Sequence, residues 1–466
     1  MEPIRSSPAR PARPLTVPQT ICLGFLVVIA VGAILLMMPF SMQTPAGAWH
    51  DPLQTVVTAL FTATSGVCVT GLSVIDVGTY YSFWGQLILL SLIQVGALGY
   101  MTATTLLLMI VGRRMGLKSK VALQQTLDTE NLGDVGSLLR SVISTMVLFQ
   151  MTGILLMMPA FLTSDRGISE SLWLSIFHSV NGFNNAGFSL FSNSLVDYAT
   201  SPLVNLAMSI LIIFGGLGYE VIIELYNWLR HRLSGDPCRR EFSLHFKVVT
   251  SVTLVLLVLG TVFTFVGEFS NPQTLGQFTF PQKLLVAWFQ SVTDRTAGFN
   301  SIEIGEMARA SLFITAVLMF IGASPGSTGG GIKTTTLRIL LNCTRSALRG
   351  RDEVLCYQRK IPDTLVFKAV GVVVGSVTVV SIACCLISAF QSELAFGDIL
   401  FETVSGFATV GLSTGITSSL SVPSRLVVIV TMYIGRVGVL LLMLAFLGDP
   451  PKLNSIEYPE EHLLVG

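Results

Sequence analysis

FTATSGVCVTGLS at residues 61–73, FHSVNGFNNAGFS at 177–189, FQSVTDRTAGFN at 289–300 and FETVSGFATVGLS at 401–413 are four versions of one segment. Each opens on a phenylalanine and reaches a glycine followed by Leu or Phe: Gly71, Gly187, Gly298 and Gly411, spaced by 116, 111 and 113 residues. Other landmarks keep the same phase. LLMMP stands at 35–39 and again at 155–159, and 24 to 28 residues after each key glycine a second glycine follows in an apolar run: Gly96, Gly215, Gly322 and Gly435. A fixed period of this kind signals an internal repeat. The units are expected at 1–130, with an N-terminal arm, then 131–240, 241–350 and 351–466, with a C-terminal tail.

Composition names the solvent of these units. The chain is 51% hydrophobic and 12% charged, with a mean hydropathy of +0.71, whereas soluble domains carry about 25% charged residues. Apolar runs at 21–40, 248–266 and 426–447 have the ~20-residue length that crosses a bilayer core. The seven cysteines are odd in number, scattered and without a CxxC pair, so they read as small apolar residues and not as a zinc or redox site. Lys and Arg concentrate in the N-terminal arm, at 112–140, 230–247 and 338–368, and in the C-terminal tail. The positive-inside bias places both termini and these links in the cytoplasm of a multi-pass membrane protein. The N-terminal arm, with Arg5, Arg10 and Arg13 among prolines, reads as a retained tail, because the apolar run after it is too long for a signal h-region.

Each unit reads long helix, short helix, glycine loop, long helix. The short helices, at about 52–64, 170–180, 281–292 and 398–404, are well below spanning length, so they enter the membrane and return. Asp51, Ser169 and Asp398 stand at their outer ends as cap or first-turn signals. Two full spans per unit give all four units one orientation, so they can surround an axis along the membrane normal. The expected fold is an all-α polytopic membrane protein: four pseudo-symmetric units and eight transmembrane helices around a central pore.

Irregular backbone at membrane depth is tolerated only where it is buried in protein or lines a water-filled cavity. Rings of backbone carbonyls replace the hydration shell of a cation in known filters, and glycine reaches backbone angles closed to other residues. The candidate filter is Val69, Thr70 and Gly71; Asn185, Ala186 and Gly187; Thr296, Ala297 and Gly298; and Thr409, Val410 and Gly411. One such glycine alone is more readily explained by close helix packing; four in phase after short helices are not.

Two further features sit at membrane depth. SPGSTGGGIKTTT at 324–336 is too rich in glycine for a continuous helix, since each interior Gly loses about 1 kcal/mol against Ala and Pro325 adds a break. An unwound segment below the filter is expected, with Gly326, Gly329, Gly330, Gly331 and Lys333 as gating candidates. Its likeness to a phosphate loop fails, because Ile332 separates Gly331 from Lys333 where GxxxxGK[ST] allows no insertion; no nucleotide is expected on this chain. Arg436 costs at least about 2.5 kcal/mol at bilayer depth and is functional by default; it is expected to bond loop carbonyls and set a positive barrier in the cation path. Asp294 and Arg295 are expected to pair locally in support of the filter, with Glu402 as an alternative partner for Arg295.

The words VTGL, NNAGF, RTAGFN, TVGLSTG, SPGSTGGGIKTTT and GRVG make the chain similar to the Ktr/Trk/HKT superfamily of potassium transporters, and within it to the KtrB-type membrane subunit, from about residue 17 to the end. Trk-type subunits carry two further N-terminal helices, and the first span here starts near residue 17, which favours Ktr. The resemblance implies filter glycines at Gly71, Gly187, Gly298 and Gly411, an intramembrane gating loop at the Gly-rich stretch, and potassium as substrate with sodium as a candidate activator. It also implies a homodimer with one pore per protomer and a cytosolic ring of nucleotide-binding (RCK/KTN-type) regulatory subunits. Membrane lipid is the remaining partner; nothing points to nucleic acid. An enzyme is not expected: GASPG at 322–326 is no serine elbow, no GxGD occurs, and His178 has no metal-ligand companion. The competing reading is a secondary carrier, a cation symporter with one central binding site.

Overall fold

The computed structural model describes residues 16–43, 51–99, 135–162, 166–234 and 242–447; most of the N-terminal arm, the basic link at 112–134, Cys238 and the C-terminal tail lie outside them. Helix dominates because a backbone in lipid must satisfy its own hydrogen bonds. Helix α1 (Val17–Met37) starts on a capping box between Thr16 and Gln19, with Pro18 in its first turn, and ends before Pro39. Four helices hold stretches long and apolar enough to cross a membrane: α1, α4 (Val135–Phe161), α8 (Leu244–Glu268) and α12 (Asp363–Phe390). Their outer faces expose Leu26, Leu155, Val266 and Phe367, an arrangement that acyl chains tolerate and water does not.

Four shorter helices follow these: α2 (Pro52–Val67), α5 (Ile168–Asn184), α9 (Phe280–Thr293) and α13 (Phe396–Ala408). They hold 13 to 17 residues, longer than the sequence suggests yet still below the ~20 of a span. Asp51 caps α2 by accepting from the Gln54 N–H at 3.2 Å. Ser169 falls inside the first turn of α5, whose cap is Gly167. Each short helix packs on the long helix before it.

The next helices are α3 (Phe83–Leu98), α6 (Pro202–Leu217), α10 (Arg309–Phe320) and α14 (Val422–Val437). Each touches the following short helix: α3 packs on α5, α6 on α9, α10 on α13, and α14 returns to α2, which closes a ring. All four stop at 12 to 16 residues. Gly99, Gly218 and Gly438, at φ +76°, +88° and +88°, end three of them in a region that side chains avoid. After Gly218 the chain turns by 105° into α7 (Tyr219–Leu233), and after Gly438 by 94° into α15 (Val439–Leu447). The apolar run at 426–447 is therefore two helices, not the single one its composition suggests.

Between α10 and α11 (Thr334–Ala347) the chain carries no helix. The all-helical expectation also misses a hairpin, β1 (Leu355–Cys356) with β2 (Arg359–Lys360). Tyr357 and Gln358 turn it at φ +47° and +63°, as a two-residue hairpin loop requires, and Cys356 packs with Val248, Val252 and Leu256 of α8.

Candidate functional site

The four short helices end in one shared backbone course. Two residues before each key glycine the chain has positive φ: Val69 (58°), Asn185 (58°), Thr296 (71°) and Thr409 (52°). The glycines repeat it, at 93°, 70°, 75° and 98° for Gly71, Gly187, Gly298 and Gly411. Backbone bonds five residues long close the helix ends, from Thr70 N–H to Ser65 (2.8 Å), Ala186 to Asn181 (2.9 Å), Gly298 to Thr293 (3.3 Å) and Val410 to Ser405 (2.9 Å), the pattern of a left-handed helix C-terminus. Side chains take the next N–H: Ser65 Oγ accepts from Gly71 at 3.0 Å, Ser405 Oγ from Gly411 at 3.1 Å, and Thr293 Oγ1 from Phe299 at 2.7 Å. The third bond falls one residue later because that segment reaches its glycine one residue sooner.

Most of the loop donors are thus consumed and the acceptors are not. Among the described residues, no hydrogen bond ends on the carbonyls of 69–71, 185–187, 296–298 or 409–411. Buried carbonyls without a partner are rare and call for a ligand.

The same glycines touch in a closed circle. A β-carbon on Gly71 would stand 2.5 Å from the Ala186 carbonyl oxygen, and one on Gly187 would stand 2.9 Å from that of Ala297. On Gly298 it would strike the Val410 carbonyl, and on Gly411 the Thr70 carbonyl. No other residue fits there. On one side of the circle opens a cavity of about 580 Å³, lined by all four glycines with Asp76, Glu303 and Glu306 and without Lys or Arg.

Asn185 and Thr296 join neighbouring loops, their amide and hydroxyl 3.2 Å apart. The expected Asp294–Arg295 pair does not form, and neither does an Arg295–Glu402 pair. Asp294, at the end of α9, turns back one helical turn to accept from Gln290 Nε2 at 2.8 Å, while Arg295 Nη2 reaches the Gly322 carbonyl at 3.4 Å. Glu402 instead ties down the chain beyond Gly411, accepting from Ser413 Oγ at 2.7 Å and Thr417 Oγ1 at 2.5 Å.

The non-helical segment 321–333 lies against the loops from the other side. β-carbons on Gly329 and Gly330 would collide with the Thr296 and Thr409 hydroxyls. Thr328, which sequence reasoning passes over, anchors the segment: its N–H donates to the Gly215 carbonyl at 3.2 Å and its hydroxyl to the same oxygen at 3.1 Å. The Thr328 carbonyl accepts from Arg436 Nη1, while Arg436 Nη2 donates to the Gly96 carbonyl at 2.7 Å. Lys333 Nζ donates to the Gly329 carbonyl at 2.8 Å. Gly96, Gly215 and Gly435 leave room for the carbonyls of Val67, Phe183 and Phe407 at the ends of the short helices, which explains the second glycine of three segments; in the third, Gly322 leaves room for the Gly330 carbonyl instead.

The chain matches the family model described as TrkH, cation transport protein, over residues 27–457. It is 37% identical over 451 residues to the Ktr system potassium uptake protein B of Bacillus subtilis, covering 97% of both chains. The protein of the same description from Vibrio alginolyticus is 35% identical and covered to 95%, and the potassium/sodium uptake protein NtpJ of Enterococcus hirae is 34% identical and covered to 97%. Among solved structures, the potassium transporter TrkH from Vibrio parahaemolyticus shares the fold at a TM-score of 0.71, with 17% identity, over 95% of this chain and 87% of that one.

Proposed function

Since the chain belongs to the TrkH cation transport protein family, we propose that it carries potassium ions across a bacterial cell membrane as the pore-forming subunit of a Ktr-type uptake system. One observation carries the reading: partnerless carbonyls from four loops stand around one closed circle of glycines. Such a ring supplies oxygen to a cation shed of water. The four short helices bring the negative ends of their dipoles to it, and the acidic cavity beside it raises the local cation concentration. The units 1–130, 131–240, 241–350 and 351–466 then pack as four pseudo-symmetric copies with eight membrane helices, both termini in the cytoplasm. The second span is bent at Gly218 in the second copy and at Gly438 in the fourth, and is interrupted by segment 321–333 in the third.

In this reading segment 321–333 is the gate, held under the filter by Thr328, Lys333 and Arg436, and Arg436 places a positive charge in the cation path. Asp294, Arg295 and Glu402 hold the filter's surroundings through separate hydrogen bonds instead of one ion pair. The chain works as a homodimer under a cytosolic nucleotide-binding ring, binds no nucleotide itself, and takes sodium as activator; the names of its relatives support potassium as cargo and, for one of them, sodium as well. Isotope uptake tests the whole: cells stripped of their own potassium systems regain rubidium-86 uptake on expressing this chain with a regulatory subunit. Uptake no greater than in cells without the chain overturns the assignment.

A further inference from the structure

Lys333 and Arg436 line one cavity of about 320 Å³ beside segment 321–333 and lie within electrostatic reach of each other. Both end on neutral backbone, Lys333 on Gly329, Arg436 on Thr328 and Gly96. Neither cation takes part in the ion pairs seen among the described residues, such as Arg166–Glu170, His245–Glu220 and Lys360–Glu353. Among the described residues, no Asp or Glu lines the cavity. Intramembrane charges persist by pairing with one another or with backbone carbonyls; here carbonyls take only part of each group's donors, and two like charges in a low-dielectric site repel strongly. Lys333 also occupies the cap position of α11, a 14-residue helix with no side-chain cap bond, so the positive end of that helix adds to the same field.

We infer that this cavity binds an anion of the phosphate class between Lys333 and Arg436. Donors are available in number. Arg436 spends two of its five N–H groups on carbonyls and Lys333 one of its three, which leaves donors on a guanidinium and an ammonium that line one cavity, the combination that grips tetrahedral oxyanions. Part of the lining is apolar, with Ile21 and Phe25 of α1 and Leu441 of α15. The phosphate can therefore arrive as the headgroup of an acidic phospholipid, whose chains follow that part, or as free inorganic phosphate. Once bound, it neutralises the charge that Arg436 and Lys333 set in the cavity. The site rests on these side chains and not on the transport reading, and its test reads binding, not flux.

The probes are phosphatidylglycerol, phosphatidylcholine and inorganic phosphate, each titrated against the purified full-length chain, with bound lipid counted by native mass spectrometry and phosphate by equilibrium dialysis. Loss of a charge-assisted hydrogen bond costs about 1.5–3 kcal/mol, so each charge removed weakens binding by roughly tenfold or more. Phosphatidylglycerol retained in preference to phosphatidylcholine, lost in the Lys333→Gln/Arg436→Gln double variant and kept in Lys333→Arg, establishes the lipid source. Saturable phosphate binding with the same sensitivity, without lipid preference, establishes the soluble one. Should the double variant not fold, Lys333→Gln alone is compared with Lys333→Arg. Binding of neither probe, or equal affinity in wild type and the charge-removing variants, overturns the site.

Discussion

Gly435 has no space for a side chain, because the Phe407 carbonyl occupies the position its β-carbon would take. Gly435→Ala must therefore push α14 away from the end of α13, an overpacking that costs about 1–3 kcal/mol. The expected result is a melting temperature several degrees lower in detergent, read by fluorescence, with Gly397→Ala, which meets nothing, as the unchanged control. Arg436 next door acts through charge. Removing it in Arg436→Ala leaves the four glycine loops intact and takes away a positive barrier, so initial potassium uptake per folded protein rises roughly two- to tenfold, up to ~1.4 kcal/mol of barrier. A folded variant with lower flux means that the guanidinium bonds to Thr328 and Gly96 only hold helices together. At this scale the sequence was informative where chemistry is rare, as at Arg436, and misleading where neighbours in sequence part company in space. Asp294 and Arg295 are adjacent, yet at a helix C-terminus one side chain turns back to Gln290 and the next goes on to Gly322.

Segment 321–333 bonds to α6 through Thr328, to α14 through Arg436 and to itself through Lys333 and Gly329. Deleting two residues within Gly326–Gly331 shortens whatever spans the path, while α10 and α11 remain whole. Uptake should rise, potassium should still be preferred over sodium, and dependence on a cytosolic regulator should fall; vesicle flux with and without that regulator measures all three. The break itself was legible, since glycine density and Pro325 oppose helix. The bends at Gly218 and Gly438 are hidden from a composition reading, although GALG at 96–99, GGLG at 215–218 and GRVG at 435–438 repeat one pattern. Apolar composition alone hides them, because a bent apolar helix pair and a straight span have the same hydropathy. The short helices were likewise drawn too short, their ends being set by buried Ser65, Thr293 and Ser405 caps that carry no helix-stop signature of their own.

The glycine circle closes within one chain, from Gly71 through Gly187 and Gly298 to Gly411 and back to Gly71. A dimer then has two complete pathways. Wild type co-expressed with a Gly298→Asp subunit, in which a carboxylate is forced into the Val410 carbonyl, should show uptake proportional to the wild-type fraction. A steep dominant-negative curve means that two chains share one pore. The in-phase glycines carry this arrangement in the sequence, because four like glycines after four short helices suit a closed set of four loops; the basic link at 112–134 lies outside the described residues. If these backbone carbonyls choose the ion, the bi-ionic reversal potential of reconstituted Gly71→Ser reports the loss of that choice. Serine brings a β-carbon against the Ala186 carbonyl and a hydroxyl into the ring, so the potassium-to-sodium permeability ratio should fall about tenfold, equal to ~1.4 kcal/mol; a conducting variant with the wild-type ratio contradicts the account.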